Sequence, residues 1–398
     1  MRSWLSVVAI VVLCLALVIG VACGGGGGGK EEVKEIKYGC ALPLSGLYGT
    51  AVGIPAMHAY ELANEKVGEF TVAGETYRWE PIFEDNMWTG AGGVATATKL
   101  IFDDGVKLME MNGADAAGAA QTICEEAGVL MDTAAAPPEL LGADKPHTTQ
   151  ICPTYLVDTP VLFKYVTETY PEVKTIAVAM SDNALGHSVG DAAIDAAPYF
   201  GFDVEDVEWI PTGTTELYPL ATKLVNIDPD LIICDVLLLK VMREMGYEGR
   251  AAYISWFQSW GDEYLGWDHA QGYLVYQANA VGADLPQEVK DFFVEIEERY
   301  GDEATQPAYY MANILYVMTE VLKKAGTVDD VDRILETMHT ETFDTWIGPV
   351  HFGGEELVGV DNIMLWPGTV HEIRGEEYTL VYEMSADEAY ELAVEVYK

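Results

Sequence analysis

Ile36-Lys37-Tyr38-Gly39-Cys40-Ala41-Leu42 is a short apolar run that stops at Pro43-Leu44-Ser45-Gly46. Such a run, ended by Pro, Ser and Gly, predicts a strand that feeds a loop. Residues 54–64 then read as a helix, with Pro55 tolerated in its first turn. Residues 79–84 give a second strand, 94–101 a helix and 106–111 a third strand. A small-residue helix runs through Cys124, and residues 129–132 make a fourth strand. Strand, helix and strand at this spacing predict βαβ units and a parallel sheet. The pattern restarts beyond it. Residues 161–170 and 186–200 read as helices around a strand at 175–180. Strands at 204–209, 231–234 and 252–256 follow, with helices at 217–224 and 237–245. A second sheet drawn from its own block of sequence predicts a second lobe. Residues 289–300 and 307–325 are helical, and Ala308, Met311, Ala312, Leu315, Met318 and Leu322 line one face as core. Residues 346–398 read as short strands and turns. The expected fold class is α/β, with two Rossmann-like lobes.

The ends and the charge bound the compartment and the partners. Arg2 precedes an uncharged, mostly apolar run over residues 5–22, which predicts a signal peptide over residues 1–22. Cys23 follows Gly20-Val21-Ala22, and a glycine run from Gly24 to Gly29 comes next. This arrangement resembles a bacterial lipoprotein, in which the cysteine is lipidated; Gly20 stands where the usual motif has Leu. The alternative is an uncleaved N-terminal anchor helix. Residues 23–35 then form a flexible tether, since glycines cannot pack a core. Both readings place the remaining chain outside the membrane. With the leader removed, about 375 residues exceed what one core normally holds, so two lobes are expected. The formal charge of −42 excludes a nucleic-acid partner, whose phosphates demand a basic surface. No Cys/His cluster has metal spacing, so neither a metal nor a cofactor is expected. Cys40, Cys152 and Cys234 lie in apolar strand-like runs and read as buried thiols, with a Cys40–Cys124 bridge left open.

Seven segments, in order, resemble the branched-chain amino acid (leucine/isoleucine/valine) type of periplasmic binding protein. They begin with the 36–46 run and Tyr48-Gly49, then Ile82-Phe83-Glu84-Asp85-Asn86 and Pro138-Glu139-Leu140. Asp182-Asn183-Ala184-Leu185-Gly186, Gln271-Gly272-Tyr273, Ala308-Tyr309-Tyr310-Met311-Ala312 and Ile347-Gly348-Pro349-Val350-His351-Phe352 complete the series. The resemblance implies two lobes joined by three hinge strands. It places residues 36–153 and 279–346 in the first lobe and 154–278 and 347–398 in the second. It also implies a small-molecule ligand and docking on a permease of the ATP-binding-cassette type, with the membrane reached through the lipid anchor.

In open α/β sheets, ligands sit outside the carboxyl ends of the strands, where helix N-termini offer free N–H groups to an anion. Asn112-Gly113-Ala114 ends the third strand just before a helix. In the resembled family this loop holds the ligand carboxylate, and here Asn112 could add a side-chain hydrogen bond. The alternative is a structural turn. Ser45 and Tyr48 occupy the first loop, where the family places ligand contacts. The family's hydroxyl after strand four falls on Ala136, beside Ala135, and its second-lobe tyrosine falls on Leu185. Its carboxylate for a ligand ammonium falls near Phe257-Gln258, where no acid stands. Asp235 is either the replacement anion or a solvated loop acid. Trp256, Phe257 and Trp260 either stack on a ligand or pack the lobe.

HExxH and P-loop motifs are absent, GxGxxG occurs only within the glycine run at 24–29, Gly186-His187-Ser188-Val189-Gly190 is the one GxSxG match, and the seven histidines are scattered. Gly90-Ala91-Gly92-Gly93 lacks the lysine and serine of a phosphate loop and reads as a linker or helix start. An importer's extracytoplasmic binding component is therefore expected, not an enzyme. A ligand-sensing subunit for a signalling receptor is the alternative, and a periplasmic hydrolase a weaker one.

Overall fold

The computed structural model describes residues 33–134, 137–257, 260–276, 286–301, 306–346 and 348–398. The first sheet contains β1 (Lys34–Leu42), β2 (Phe70–Val72), β3 (Glu75–Asp85), β4 (Leu108–Asn112), β5 (Leu130–Ala134) and β6 (Thr148–Thr149), in the order β2-β3-β1-β4-β5-β6. All neighbours run parallel except the β2–β3 hairpin. Alternation of side chains fixes its two faces. Tyr38, Cys40 and Leu42 of β1, with Leu108 and Leu130, face one core that also holds the helix Gln306–Ala325. Ala41, Met109, Met111 and Met131 face a second core under the helix Ala114–Ala127. Cys40 and Cys124 thus belong to opposite faces of this sheet, and all four described cysteines are free and buried.

The second sheet holds β7 (Thr175–Asp182), β8 (Asp203–Pro211), β9 (Leu231–Cys234), β10 (Arg250–Tyr253) and β11 (Leu274–Val275), parallel in the order β8-β7-β9-β10-β11. Gly368–Arg374 and Glu377–Met384 extend it antiparallel beyond β11. Ile176, Val178 and Ile233 face one core, and Ala177, Ala179 and Ile232 the other. The two-lobe α/β architecture expected from the sequence is therefore present.

Three expectations need correction. The helix read at 161–170 spans Tyr155–Thr169 and carries Pro160 inside it. Residues 346–398 are not only strands and turns, because Ala386–Tyr397 is a helix started by a capping box between Ser385 and Glu388. Val350, Phe352, Met364 and Trp366 pack in the first lobe's core, not in the second lobe where residues 347–398 were expected. The chain re-enters the second sheet at Gly368. Two crossings run side by side: Gln150 N donates to Asn362 O at 2.8 Å, Met364 N to Gln150 O at 2.9 Å and Trp366 Nε1 to Ile151 O at 2.7 Å. The lobe boundary expected at 278/279 lies outside the described residues.

Candidate functional site

The carboxyl ends of β1, β3 and β4 are tied together by one side chain. Asn86 is fully buried. Its Nδ2 donates to Ala41 O at 2.9 Å and to Asn112 O at 2.7 Å, and its Oδ1 accepts from Trp88 N at 2.9 Å. Beside it, Asp85 Oδ1 accepts from Leu44 N and Met87 N, each at 2.9 Å. Partial burial pushes the Asp85 pKa up, but hydrogen bonds from the Ser45 hydroxyl and from the N–H groups of Met87, Leu44 and Ser45 outweigh it and leave the pKa lowered. Ser45 thus helps hold its own loop against β3.

Met87 and Trp88 both adopt left-handed backbone, at φ 54° and 56°. Few non-glycine residues do so, and this turn aims the indole across the strand ends. Trp88 stacks on Tyr48 with ring centroids 4.5 Å apart. It also covers Gly113, whose φ is 99°; a Cβ built there would stand 3.2 Å from the indole. Gly113 is the N-cap of the helix Ala114–Ala127, so a free helix N-terminus opens at this point.

The second lobe faces it with matching parts. Asn183 Oδ1 caps its helix by accepting from Gly186 N at 2.8 Å, while Leu185 packs against the second lobe's core. Asp235 Oδ1 accepts from Leu237 N and Leu238 N at 2.9 and 3.0 Å. Burial raises the Asp235 pKa despite these two N–H donors. The Tyr253 hydroxyl, at the end of β10, is pushed up by burial and then by the charge of Asp235 and by Tyr48. Tyr48 is likewise raised by burial, then by Asp235 and Asp115. Tyr48 from the first lobe and Asp235 with Tyr253 from the second therefore share one electrostatic environment between opposed strand ends.

Of the sequence-derived site residues, Tyr48 and Gly113 share the Trp88 indole, and Asp235 reaches Tyr48 electrostatically. Asn112 differs from expectation: it is buried, and its Nδ2 donates inward to Glu110 Oε1 at 3.0 Å and to Met311 Sδ at 3.7 Å. Trp256 is buried and packs on Trp267 and Tyr273 within the lobe, while Phe257 is half-buried. Ala135, Ala136, Gln258 and Cys23 lie outside the described residues. Asn86, Trp88 and Tyr253 were not singled out from sequence. A Trp three residues past a strand end and two after an Asn was the available signal. Two cavities, of about 370 and 610 Å³, lie elsewhere in the first lobe, the former beside His339 and the latter beside Trp346. Neither reaches the strand ends.

Residues 35–365 match the periplasmic binding protein family model. The chain belongs to the periplasmic binding protein family. Solved structures similar to this family member include a solute-binding protein of an ABC transporter from Rhodopseudomonas palustris BisB5 in complex with 3,4-dihydroxybenzoic acid. It shares 19% identity at a TM-score of 0.74, over 88% of this chain and 98% of that one. A Rhodopseudomonas palustris solute-binding protein in complex with benzoate shares 14% at 0.73, over 88% and 96%. A leucine-binding protein from Thermotoga maritima MSB8 shares 18% at 0.74, over 89% and 99%. No curated protein matches the sequence. Among the described residues of this periplasmic binding protein, no helix is long and apolar enough to cross a membrane, and no cluster of His, Cys, Asp and Glu could hold a metal.

Proposed function

We propose that the protein is the extracytoplasmic substrate-binding component of an ABC importer, without enzymatic activity, tethered by a lipid on Cys23. It takes a small amino acid-like, amide or carboxylate solute. What supports this reading is that Tyr48 of the first lobe lies within electrostatic reach of Asp235 and Tyr253 of the second, each beside the carboxyl end of a strand. A solute lodged there touches both lobes and so binds the closed form better. Only that difference in affinity drives closure, which a permease can then read.

Charge supports the amino acid-like class within this range. The strand-end segments 43–53, 85–98, 112–127, 133–144, 181–200, 211–222, 234–239 and 253–289 contain no Lys or Arg. A bare anion would rely on helix N–H groups alone. An ammonium would meet Asp235 and the faces of tyrosines, which repay its lost water. The test is a thermal-shift screen of amino acids, amides and aromatic acids, run on the protein and on Asp235→Asn. A ligand at a hundredfold excess over its Kd stabilises the fold by about 2.7 kcal/mol. Ammonium-bearing compounds should raise Tm in the parent and lose most of that shift in the variant. A screen in which none of the three classes moves Tm rejects the reading.

A further inference from the structure

The first lobe buries two acids that the cleft does not use. Glu110 of β4 and Asp132 of β5 are register partners on adjacent parallel strands, so both side chains leave the same face. Both are almost wholly buried. Around them stand Cys40, the register partner of Glu110 on β1, and Tyr38 of the same strand. Tyr60 comes from the helix Ile54–Val67, Met311 from the helix Gln306–Ala325, and Thr149 and Cys152 from the crossing segment. Among the described residues neither acid has a Lys, Arg or His partner. Two like charges this close in an apolar core cannot both persist.

The hydrogen bonds distinguish the two acids. Asp132 Oδ1 accepts from Ile151 N at 2.7 Å and from Thr149 Oγ1 at 3.4 Å, whereas its Oδ2 is buried without a partner. Burial, then the charge of Glu110, hold its pKa well above the carboxylate range, so Asp132 keeps the proton. Glu110 accepts on both oxygens, from the Tyr60 hydroxyl and from Asn112 Nδ2. Burial lifts its pKa to about 7 against those two donors. A proton arriving on Glu110 removes the charge that both donors face: the Tyr60 hydroxyl can turn and accept from the new O–H, whereas the Asn112 amide N–H can only donate, now to a weaker, neutral acceptor. Tyr60 sits on a packed helix. Asn112 is the looser of the two, since its amide's other partner is only a thioether and Gly113 follows it.

We propose that Glu110 and Asp132 form a proton-holding pair that positions the Asn112–Gly113 turn at the cleft, so that ionisation of Glu110 fixes the turn and its protonation releases it. Glu110 acts through Asn112 and is a positioning residue. The turn carries the Gly113 N-cap and lies under Trp88, so the cleft floor loosens as pH falls through about 7. The inference shares the Gly113 site with the proposed function but not its ligand, so it is tested with ligand absent. The probe is ¹⁹F NMR of the protein labelled with 5-fluorotryptophan, the Trp88 signal being assigned with Trp88→Phe. Its shift should titrate with a midpoint near 7 in the parent and stay flat in Glu110→Gln. In Tyr60→Phe, which removes a donor to the ionised form, the midpoint should rise. A purely structural role for the pair would leave Trp88 insensitive to pH. A parent signal flat between about pH 5.5 and 8.5 overturns the proposal, as does the same titration in Glu110→Gln. If Glu110→Gln does not fold, an unmoved midpoint in Tyr60→Phe does the same.

Discussion

Replacing Asn86 by Ala tests whether one buried carboxamide holds the floor of the cleft together. The side chain makes three hydrogen bonds of 2.7–2.9 Å, to Ala41 O, Asn112 O and Trp88 N, and none of its surface reaches solvent. A net contribution near 1 kcal/mol for each gives about 3 kcal/mol, and more if the abandoned groups stay dry. Against a typical domain stability of about 5–15 kcal/mol, that is a large fraction. Asn86→Asp sharpens the test. The carboxylate still accepts from Trp88 N but faces two carbonyl oxygens it cannot donate to, so it should cost at least as much as Ala. Urea unfolding followed by circular dichroism reads the loss as a lower midpoint at unchanged slope. Thr96→Val, buried nearby in the helix Gly90–Thr98 and bonded only to its own helix carbonyls and a sulfur, is the control and should cost about 1 kcal/mol. If Asn86→Ala costs no more than that control, the three strand ends are held by the sheet itself and the stapling argument fails.

Three further outcomes can be measured. Gly113→Ala places a Cβ 3.2 Å from the Trp88 indole on backbone at φ 99°; strain of about 1–3 kcal/mol should lower Tm and abolish any ligand-induced thermal shift, and an unchanged shift would remove Gly113 from the site. His371, buried with both ring nitrogens unpartnered and stacked on Tyr378, has its pKa lowered by burial to about 3. Its folded pKa lies below the unfolded value of 6.5, so the native state binds fewer protons, and stability falls as pH drops from about 6.5 towards 3 by on the order of 4–5 kcal/mol. His371→Phe should flatten that part of the acid limb in urea titrations at several pH values, and an unaltered limb would show that other groups set it. Cys23→Ser should move the protein from the membrane fraction to the soluble one on fractionation of expressing cells, and an unshifted distribution would exclude a lipid on Cys23.

Much of the fold was legible because two periodicities carry it. Apolar strand cores such as 231–234 and amphipathic helices such as 307–325 announce themselves by what they must bury. The helix Ala386–Tyr397 was missed because its acidic residues obscure a narrow apolar stripe, with only Ala389 and Ala393 buried along it. The placement of Val350, Phe352, Met364 and Trp366 in the first core rests on contacts between segments distant in sequence, of which Trp366 Nε1 to Ile151 O is one, and no local pattern encodes such pairings. The site was harder still. Tyr48 and Asp235 are far apart in sequence, and no local pattern shows that the charge of one reaches the other.

Asn112 shows where a finer reading of the same sequence would have succeeded. Side chains in a strand alternate between faces, so Leu108, Glu110 and Asn112 must leave β4 on one side and Met109 with Met111 on the other. Ending the strand at Met111 turned Asn112 into a loop residue free to reach a ligand. Extending it by one residue commits the carboxamide to the face that already holds Glu110. A buried acid in a strand needs a donor, and the residue two positions on shares its face. That pairing explains why this turn carries Asn. Its side chain serves the acid behind it, which leaves the backbone of Gly113 and Ala114 as the turn's groups at the helix N-terminus.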